Sequence, residues 1–225
     1  MLREWSVGRN PNLPEEDLWE AVDVIDWWRA QHARPLARAN AGLRYYVHKL
    51  SDDVNVSQRL KRFVTIVDKL ERHPTMQLDT MEDIGGVRAI LPRQQQVDDL
   101  VRELRRQPRW KIKRVREYVT GRDPGPKEDG YRAVHVVVER DGRFIEIQLR
   151  TPWQDRWAQS VEQDTRRLRH GLKFGLGPAD LREYFRVVAE YFELREANQD
   201  APEELLRELS NLFAATRAYY AEEEQ

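Results

Sequence analysis

Four runs rich in β-branched residues, at 84–91, 111–119, 131–139 and 143–150, constrain this chain more than any other feature. The last two are separated by Asp141-Gly142, a pair suited to a tight turn, which predicts a β-hairpin. In the run 143–150, alternation sets Ile145, Ile147 and Leu149 on one face and Phe144, Glu146, Gln148 and Arg150 on the other. In the preceding run Tyr131, Ala133, His135 and Val137 share a face, opposite Arg132, Val134, Val136 and Val138. Tyr131 and His135 should then stand about 13 Å apart along one strand face. A polar strand face is commonly just a solvated one, so a second signal is needed before it reads as a site.

Helical patterns surround these strands. One spans 94–106, between the first two runs, and another spans 62–72. Asn12-Leu13-Pro14-Glu15-Glu16 reads as a helix start, followed by Leu18, Val22, Ile25 and Trp28 at helical spacing. After residue 150 the period is helical again: Trp153, Trp157, Val161 and Leu168, then Leu181, Phe185, Val188 and Phe192, then Leu205, Leu209, Leu212 and Phe213. The sum is an α+β fold, a sheet flanked by helices. A length of 225 residues suffices for one large domain with helical additions.

Composition removes whole classes of chemistry. With no Cys there is no disulfide, zinc-thiolate site, Fe–S cluster or thiol nucleophile. Mean hydropathy of −0.81 and the lack of a long apolar run argue against a membrane span. Met1-Leu2-Arg3-Glu4-Trp5 carries no apolar signal core, so a cytoplasmic protein is expected. A formal net charge of −1 at first disfavours a polyanionic partner. The total conceals a partition, because residues 102–127 hold ten Lys and Arg against three acids, a net of +7. Residues 1–30 carry −4 and residues 178–225 carry −7. The acidic ends read as solvated helix faces, or as covers for the basic cleft or for a protein partner. The helices of 178–225 also carry apolar stripes that must pack on something.

Three further segments could bear chemistry. Lys61, Thr65 and Lys69 fall at i, i+4 and i+8, which aligns two cations and a hydroxyl on one helical face as a polyphosphate would need. A solvated basic stripe would look the same. Asp83-Ile84-Gly85-Gly86-Val87-Arg88 places a carboxylate before two glycines at a strand start, where close backbone or ligand approach is possible. Asp83 and Glu146 could form a Mg²⁺-binding carboxylate pair from two strands. Lys127, in the turn 126–130, can reach a phosphate. No Walker A motif, G-x-G-x-x-G or H-E-x-x-H is present.

Four segments occur in order: Arg59-x-Lys61-x-x-x-Thr65-x-x-x-Lys69, Asp83-Ile84-Gly85-Gly86-Val87-Arg88, Gly130-Tyr131-Arg132-Ala133-Val134-His135 and Glu146-Ile147-Gln148-Leu149-Arg150-Thr151. Together they resemble the synthetase domain of the RelA/SpoT-homologue family, in its stand-alone small alarmone synthetase form, over roughly residues 56–170. The resemblance implies a nucleotidyltransferase-like mixed β-sheet flanked by helices. It implies a single synthetase domain over 1–225, with a catalytic core at about 56–170, a helical N-terminal extension at 1–50 and C-terminal helices at 178–221. The implied reaction moves the β,γ-pyrophosphate of ATP to a ribose 3′-hydroxyl, with Mg²⁺ as cofactor.

By the same resemblance Arg59 and Arg88 would flank the adenine of ATP, and Lys61 and Lys69 would hold its phosphates, with Thr65 standing where the family often has Ser. Asp83 and Glu146 would bind Mg²⁺, and Glu146 would deprotonate the attacking hydroxyl. Tyr131 would stack on the acceptor base, Lys127 and His135 would contact acceptor phosphates, and Gln148 would shape the acceptor pocket. Two departures stand out. The link from Glu117 to Lys127 is longer than the family's short one, and Glu162 sits one residue later than the Glu that reads guanine. The run from Glu162 to Leu172-Lys173-Phe174-Gly175 is similar to the toxic subgroup, found in toxin–antitoxin and phage-defence modules. That subgroup implies a tRNA 3′-CCA end as acceptor and an antitoxin protein as possible partner. The alternatives are GDP or GTP, an adenosine nucleotide, or a non-catalytic nucleotide- or RNA-binding module. Oligomeric state is left open.

Overall fold

The computed structural model describes residues 15–52, 54–168, 172 and 176–221. The expected helix start at 12–14 and residues 173–175 lie outside the described residues. Helices α1 (Glu15–Ala30) and α2 (Ala33–Leu50) come first, followed by strand β1 (Asn55–Leu60) and helix α3 (Phe63–Arg72). Strand β2 (Gly85–Ile90), helix α4 (Gln94–Arg106), strand β3 (Ile112–Tyr118), strand β4 (Ala133–Arg140) and strand β5 (Arg143–Arg150) complete the sheet. Helices α5 (Pro152–Arg167), α6 (Ala179–Glu196) and α7 (Glu203–Ala221) close the described chain. None of the described helices is long and apolar enough to cross a membrane.

The sheet is mixed, in the order β1-β2-β5-β4-β3. β2 and β5 run parallel, while every other neighbouring pair is antiparallel. The β4–β5 hairpin turns at Asp141-Gly142, both at positive φ, as the dipeptide predicts. Helix α4 forms over the predicted 94–106, with Val97, Leu100, Val101 and Leu104 making its buried stripe.

Strand alternation splits the sheet into an apolar and a polar face. Val87, Ala89, Val134, Val136, Val138, Ile145, Ile147 and Leu149 pack with Leu36, Ala39 and Leu43 of α2 and the stripe of α4. At Gly85 a Cβ would stand 2.6 Å from Ile145 Cδ1, so this glycine makes room for the Ile145 side chain of the neighbouring β5. A second cluster joins Trp157 and Val161 of α5 to Leu181, Phe185, Val188 and Ala189 of α6.

Three sequence expectations change. β1, where the sequence pattern predicts no strand, pairs with β2 along its whole length as an edge strand. Lys61 lies outside α3, because Arg62 takes an extended conformation as the N-cap. Tyr131 and Arg132 precede β4 rather than belonging to it. Arg132 reaches Glu193 (3.6 Å) and Glu196 (3.2 Å) of α6.

Candidate active site

The polar face of the sheet forms the floor of two adjoining cavities, of about 340 and 330 Å³, which share Arg59, Asp83, Arg88, Glu146, Gln148 and Glu162. Register explains the convergence. Gly86 lies opposite Arg59 and Glu146, Arg88 opposite Gln148, and Gln148 opposite His135. Lys61 lines the first cavity, whereas Lys69, Lys127, Tyr131 and His135 line the second. Of the twelve residues singled out from sequence, Thr65, in the first turn of α3, lines neither cavity.

Asp83 sits in the turn before β2 and binds both lysines, Lys61 Nζ at 2.9 Å and Lys69 Nζ at 2.8 Å. The lysines converge there from a loop and from the last turn of α3, rather than from one helical face as their spacing suggested. Burial would raise the Asp83 carboxyl, but the two ammonium groups outweigh it and hold the pKa below the usual range.

Glu146 is more enclosed, at 9 % exposure. His135 Nδ1 lies 2.9 Å from its Oε1, and Gln148 Nε2 donates to its Oε2 at 2.7 Å. Burial pushes this carboxyl up, but the imidazole and the amide more than compensate, and its pKa falls to about 2. An ionised carboxylate only accepts, so His135 carries its proton on Nδ1. Its Nε2 faces the Tyr131 hydroxyl at 2.6 Å, and Arg150 Nη2 donates to that hydroxyl at 3.0 Å. Tyr131 and His135 thus share a face as alternation expects, and their side chains close the spacing along it. Gly130, at φ +89°, makes the turn before Tyr131, and the Asp129 carboxylate accepts the Tyr131 backbone N–H at 3.0 Å. A Cβ on Gly130 would come within 2.5 Å of Ala189 Cβ, so the loop is set directly against α6.

Lys127 Nζ stands 5.1 Å from the Tyr118 ring centroid and 4.9 Å from that of Tyr131. Glu162 pairs with Arg59 at 3.9 Å and Arg166 at 3.5 Å. The residue expected on the acceptor side therefore also touches the arginine expected on the donor side.

Sequence reasoning missed Arg150, Asp155, Tyr118 and Arg116 as site residues. Arg150 was visible, since alternation placed it beside Glu146 and Gln148. Asp155 was signalled by Thr151-Pro152-Trp153-Gln154, a capping box that starts α5 and sets Asp155 in its first turn. The +7 segment also changes meaning. Arg102 pairs with Asp99, Lys111 and Lys113 with Glu139, Arg114 and Arg116 with Glu82, and Arg122 with Asp98 and Glu117. Of its ten bases, Arg116 and Lys127 line the second cavity.

Among the described residues, no group of three or more Asp, Glu and His is arranged to hold a metal ion. The cavities do supply two ionised carboxylates, Asp83 and Glu146. That set fits Mg²⁺, which commonly takes one or two carboxylates and completes its shell with substrate phosphates and water.

The polar face, with its paired lysines and carboxylates, lies inside a segment with known relatives: residues 58–167 match the family model described as the region found in RelA / SpoT proteins. This segment belongs to the RelA/SpoT family. An uncharacterised Mycobacterium tuberculosis protein, Rv1366, is 30% identical over 161 residues, which are 69% of this chain and 55% of that protein. The chain therefore spans little more than half of that relative. The GTP pyrophosphokinase YwaC of Bacillus subtilis is 27% identical over 190 residues, covering 79% of this chain and 74% of YwaC. The RelA/SpoT fold recurs in the Bacillus subtilis small alarmone synthetase 1 bound to its product pppGpp, at TM-score 0.63 and 20% identity over 76% of this chain and 94% of that one. Small alarmone synthetase 2 of the same organism gives a TM-score of 0.62 at 22% identity, over 80% and 95% of the two chains. The mixed sheet flanked by helices is thus the small-synthetase fold.

Proposed function

We propose that this protein is an ATP-dependent pyrophosphokinase that transfers a pyrophosphoryl group to the 3′-hydroxyl of a nucleotide. In the reaction the acceptor 3′-oxygen bonds to the β-phosphorus, the bond from that phosphorus to the bridging α,β-oxygen breaks, and AMP departs with the electron pair. The observation that carries this reading is the convergence of Lys61, Lys69, Arg59 and Arg88 with two ionised carboxylates around adjoining cavities.

Lys61 and Lys69 would exchange part of their hold on Asp83 for ATP phosphates, and Arg59 and Arg88 would hold the adenine. Asp83 and Glu146 would hold Mg²⁺, which would supply charge neutralisation for the polyphosphate. Lys127 and His135 would meet acceptor phosphates, Tyr131 the base, and Gln148 the pocket wall between them. With a pKa of about 2, Glu146 is a weak base. Its role is then to orient the 3′-hydroxyl as a hydrogen-bond acceptor, taking the proton late, as the new P–O bond forms. A loose phosphoryl-type transition state asks mainly for such positioning and neutralisation. We treat residues 1–225 as one synthetase unit acting in the cytoplasm, where its donor is abundant.

For the acceptor we favour free GDP or GTP. The basic segment, which could otherwise track a tRNA backbone, spends six of its ten cations on the protein's own carboxylates, and one relative, YwaC, is a GTP pyrophosphokinase. One observation favours a second reading, an acceptor ending in adenosine such as the tRNA 3′-CCA end. Glu162, already displaced by one residue from the guanine-reading position, is paired with Arg59 and Arg166. A toxic role with an antitoxin partner belongs to that second reading. Incubating the protein with Mg²⁺ and γ-labelled ATP, offering GDP, GTP, ATP and deacylated tRNA in parallel, tests both. Label in guanosine nucleotides alone is the expected result, label in tRNA alone selects the second reading, and no transfer to any acceptor overturns the enzyme assignment.

A further inference from the structure

Asp155 is almost fully enclosed, with its side chain 4 % exposed, and none of the assigned chemistry uses it. Its Oδ1 accepts from two arginines at once, Arg88 Nη1 at 3.3 Å and Arg150 Nη1 at 3.0 Å. Its Oδ2 accepts from Gln159 Nε2 at 2.5 Å. The two arginines reach different partners. Arg88 lines both cavities and stands beside Arg59 and Lys61 in the first, whereas Arg150 lines only the second. Arg150 continues through the Tyr131 hydroxyl and His135 to Glu146. Two like charges share one buried oxygen, and each lowers the claim of the other on it. The contact to Arg88 is the longer of the two.

We propose that Asp155 is a positioning residue that couples the two substrates to each other. Resting on the pyrophosphokinase reading, the coupling works as follows. A donor nucleotide that recruits Arg88 releases the shared oxygen to Arg150. Arg150 is then held harder, its Nη2 is fixed on the Tyr131 hydroxyl, and that hydroxyl is fixed on His135 Nε2. The wall of the second cavity is thereby ordered before the acceptor arrives. By linkage the acceptor must tighten donor binding by the same factor. Nothing in the coupling requires movement of the backbone, because the exchange happens at one carboxylate oxygen.

The coupling is read from binding alone. The affinity of the full-length protein for GDP is measured by calorimetry with and without a non-hydrolysable ATP analogue, in wild type and in Asp155→Asn. In the wild type the analogue should tighten GDP by about fivefold, a typical coupling between sites. In Asp155→Asn that ratio should fall to about one, even if both separate affinities also weaken. A merely structural role for Asp155 would shift both affinities and leave the ratio near its wild-type value, which overturns the proposal. A wild-type ratio of one overturns it too. If Asp155→Asn does not fold, Gln159→Leu, which frees only the second carboxylate oxygen, should reduce the ratio by about half, and an unchanged ratio there is the contrary result. Should GDP not bind, the acceptor identified by the labelled-ATP assay takes its place. Failure of every acceptor in that assay counts against the enzyme reading, whereas failure of the coupling in an active wild type counts against Asp155 alone.

Discussion

The two faces of the β4–β5 hairpin are made from alternate residues of the same strands, and each buries side chains for a different reason. On one face Val134, Val136, Val138, Ile145, Ile147 and Leu149 are buried because they are apolar. On the other, His135, Glu146 and Arg150 are buried because charges and hydrogen bonds satisfy one another. The first face gains free energy from leaving water. The second roughly breaks even, since the desolvation of ions offsets their attraction. A face that adds little to stability but keeps its ions in fixed positions is one whose value lies in binding and chemistry.

The contrast is sharpest for single substitutions. Glu146→Gln should lower pyrophosphoryl transfer by about 10²- to 10³-fold, in the range seen when one electrostatic group is removed from an active site. Turnover per folded molecule should fall by that factor whatever the melting temperature does, and unchanged turnover per folded molecule would erase the distinction between the faces. Ile147→Ala, one residue along and on the other face, should cost about 2–5 kcal/mol in urea unfolding. Turnover per folded molecule should then be preserved.

Acid provides a milder challenge to the polar face. The pKa of Glu146 is depressed to about 2 and that of Asp83 is also depressed, so both bind protons less readily in the folded protein than in the unfolded chain. Their contribution is complete above the ordinary carboxylate range and is lost as pH falls from about 4.5 toward 2. Melting temperature should be flat in this respect between pH 5 and pH 8 and should drop below it. Glu146→Gln should flatten part of that drop in a pH series of thermal melts.

Smaller effects should map the edges of the site. Lys127→Met should raise the KM for the acceptor by about tenfold, or about 1.4 kcal/mol. The KM for ATP should hardly change, and equal changes in both would break the division between the cavities. Arg122→Gln removes a cation that is tied to Asp98 and Glu117 and lies outside both cavities. It should cost at most about 1 kcal/mol in stability and leave both KM values unchanged.

The polar face was largely legible because strand alternation is rigid: once Ile145, Ile147 and Leu149 face the core, Glu146, Gln148 and Arg150 must share the other side. Helix α4 was legible because its apolar stripe has a clear helical period. β1 was not, because an edge strand buries little, and in Asn55–Leu60 only Val56 is fully buried. The position of Tyr131 depends on the backbone turn at Gly130, which no period encodes. The neutralisation of the +7 segment was invisible to a sum over sequence. Glu82, Asp98, Asp99 and Glu139, which take up its cations, lie outside residues 102–127.

Gly130 also limits how this protein can be shortened. All four sequence motifs end by residue 151, and the family region ends at residue 167. The loop that carries Lys127 and Tyr131 nevertheless leans on Ala189 through a glycine with no room for a side chain. Trp157 Nε1 donates to the Phe185 carbonyl at 2.7 Å, and Arg132 reaches Glu193 and Glu196. A version trimmed to the family region would keep every recognised residue and lose the buttress that aims two of them. The smallest unit that keeps this site intact is therefore set by the far end of α6, some thirty residues beyond the family region.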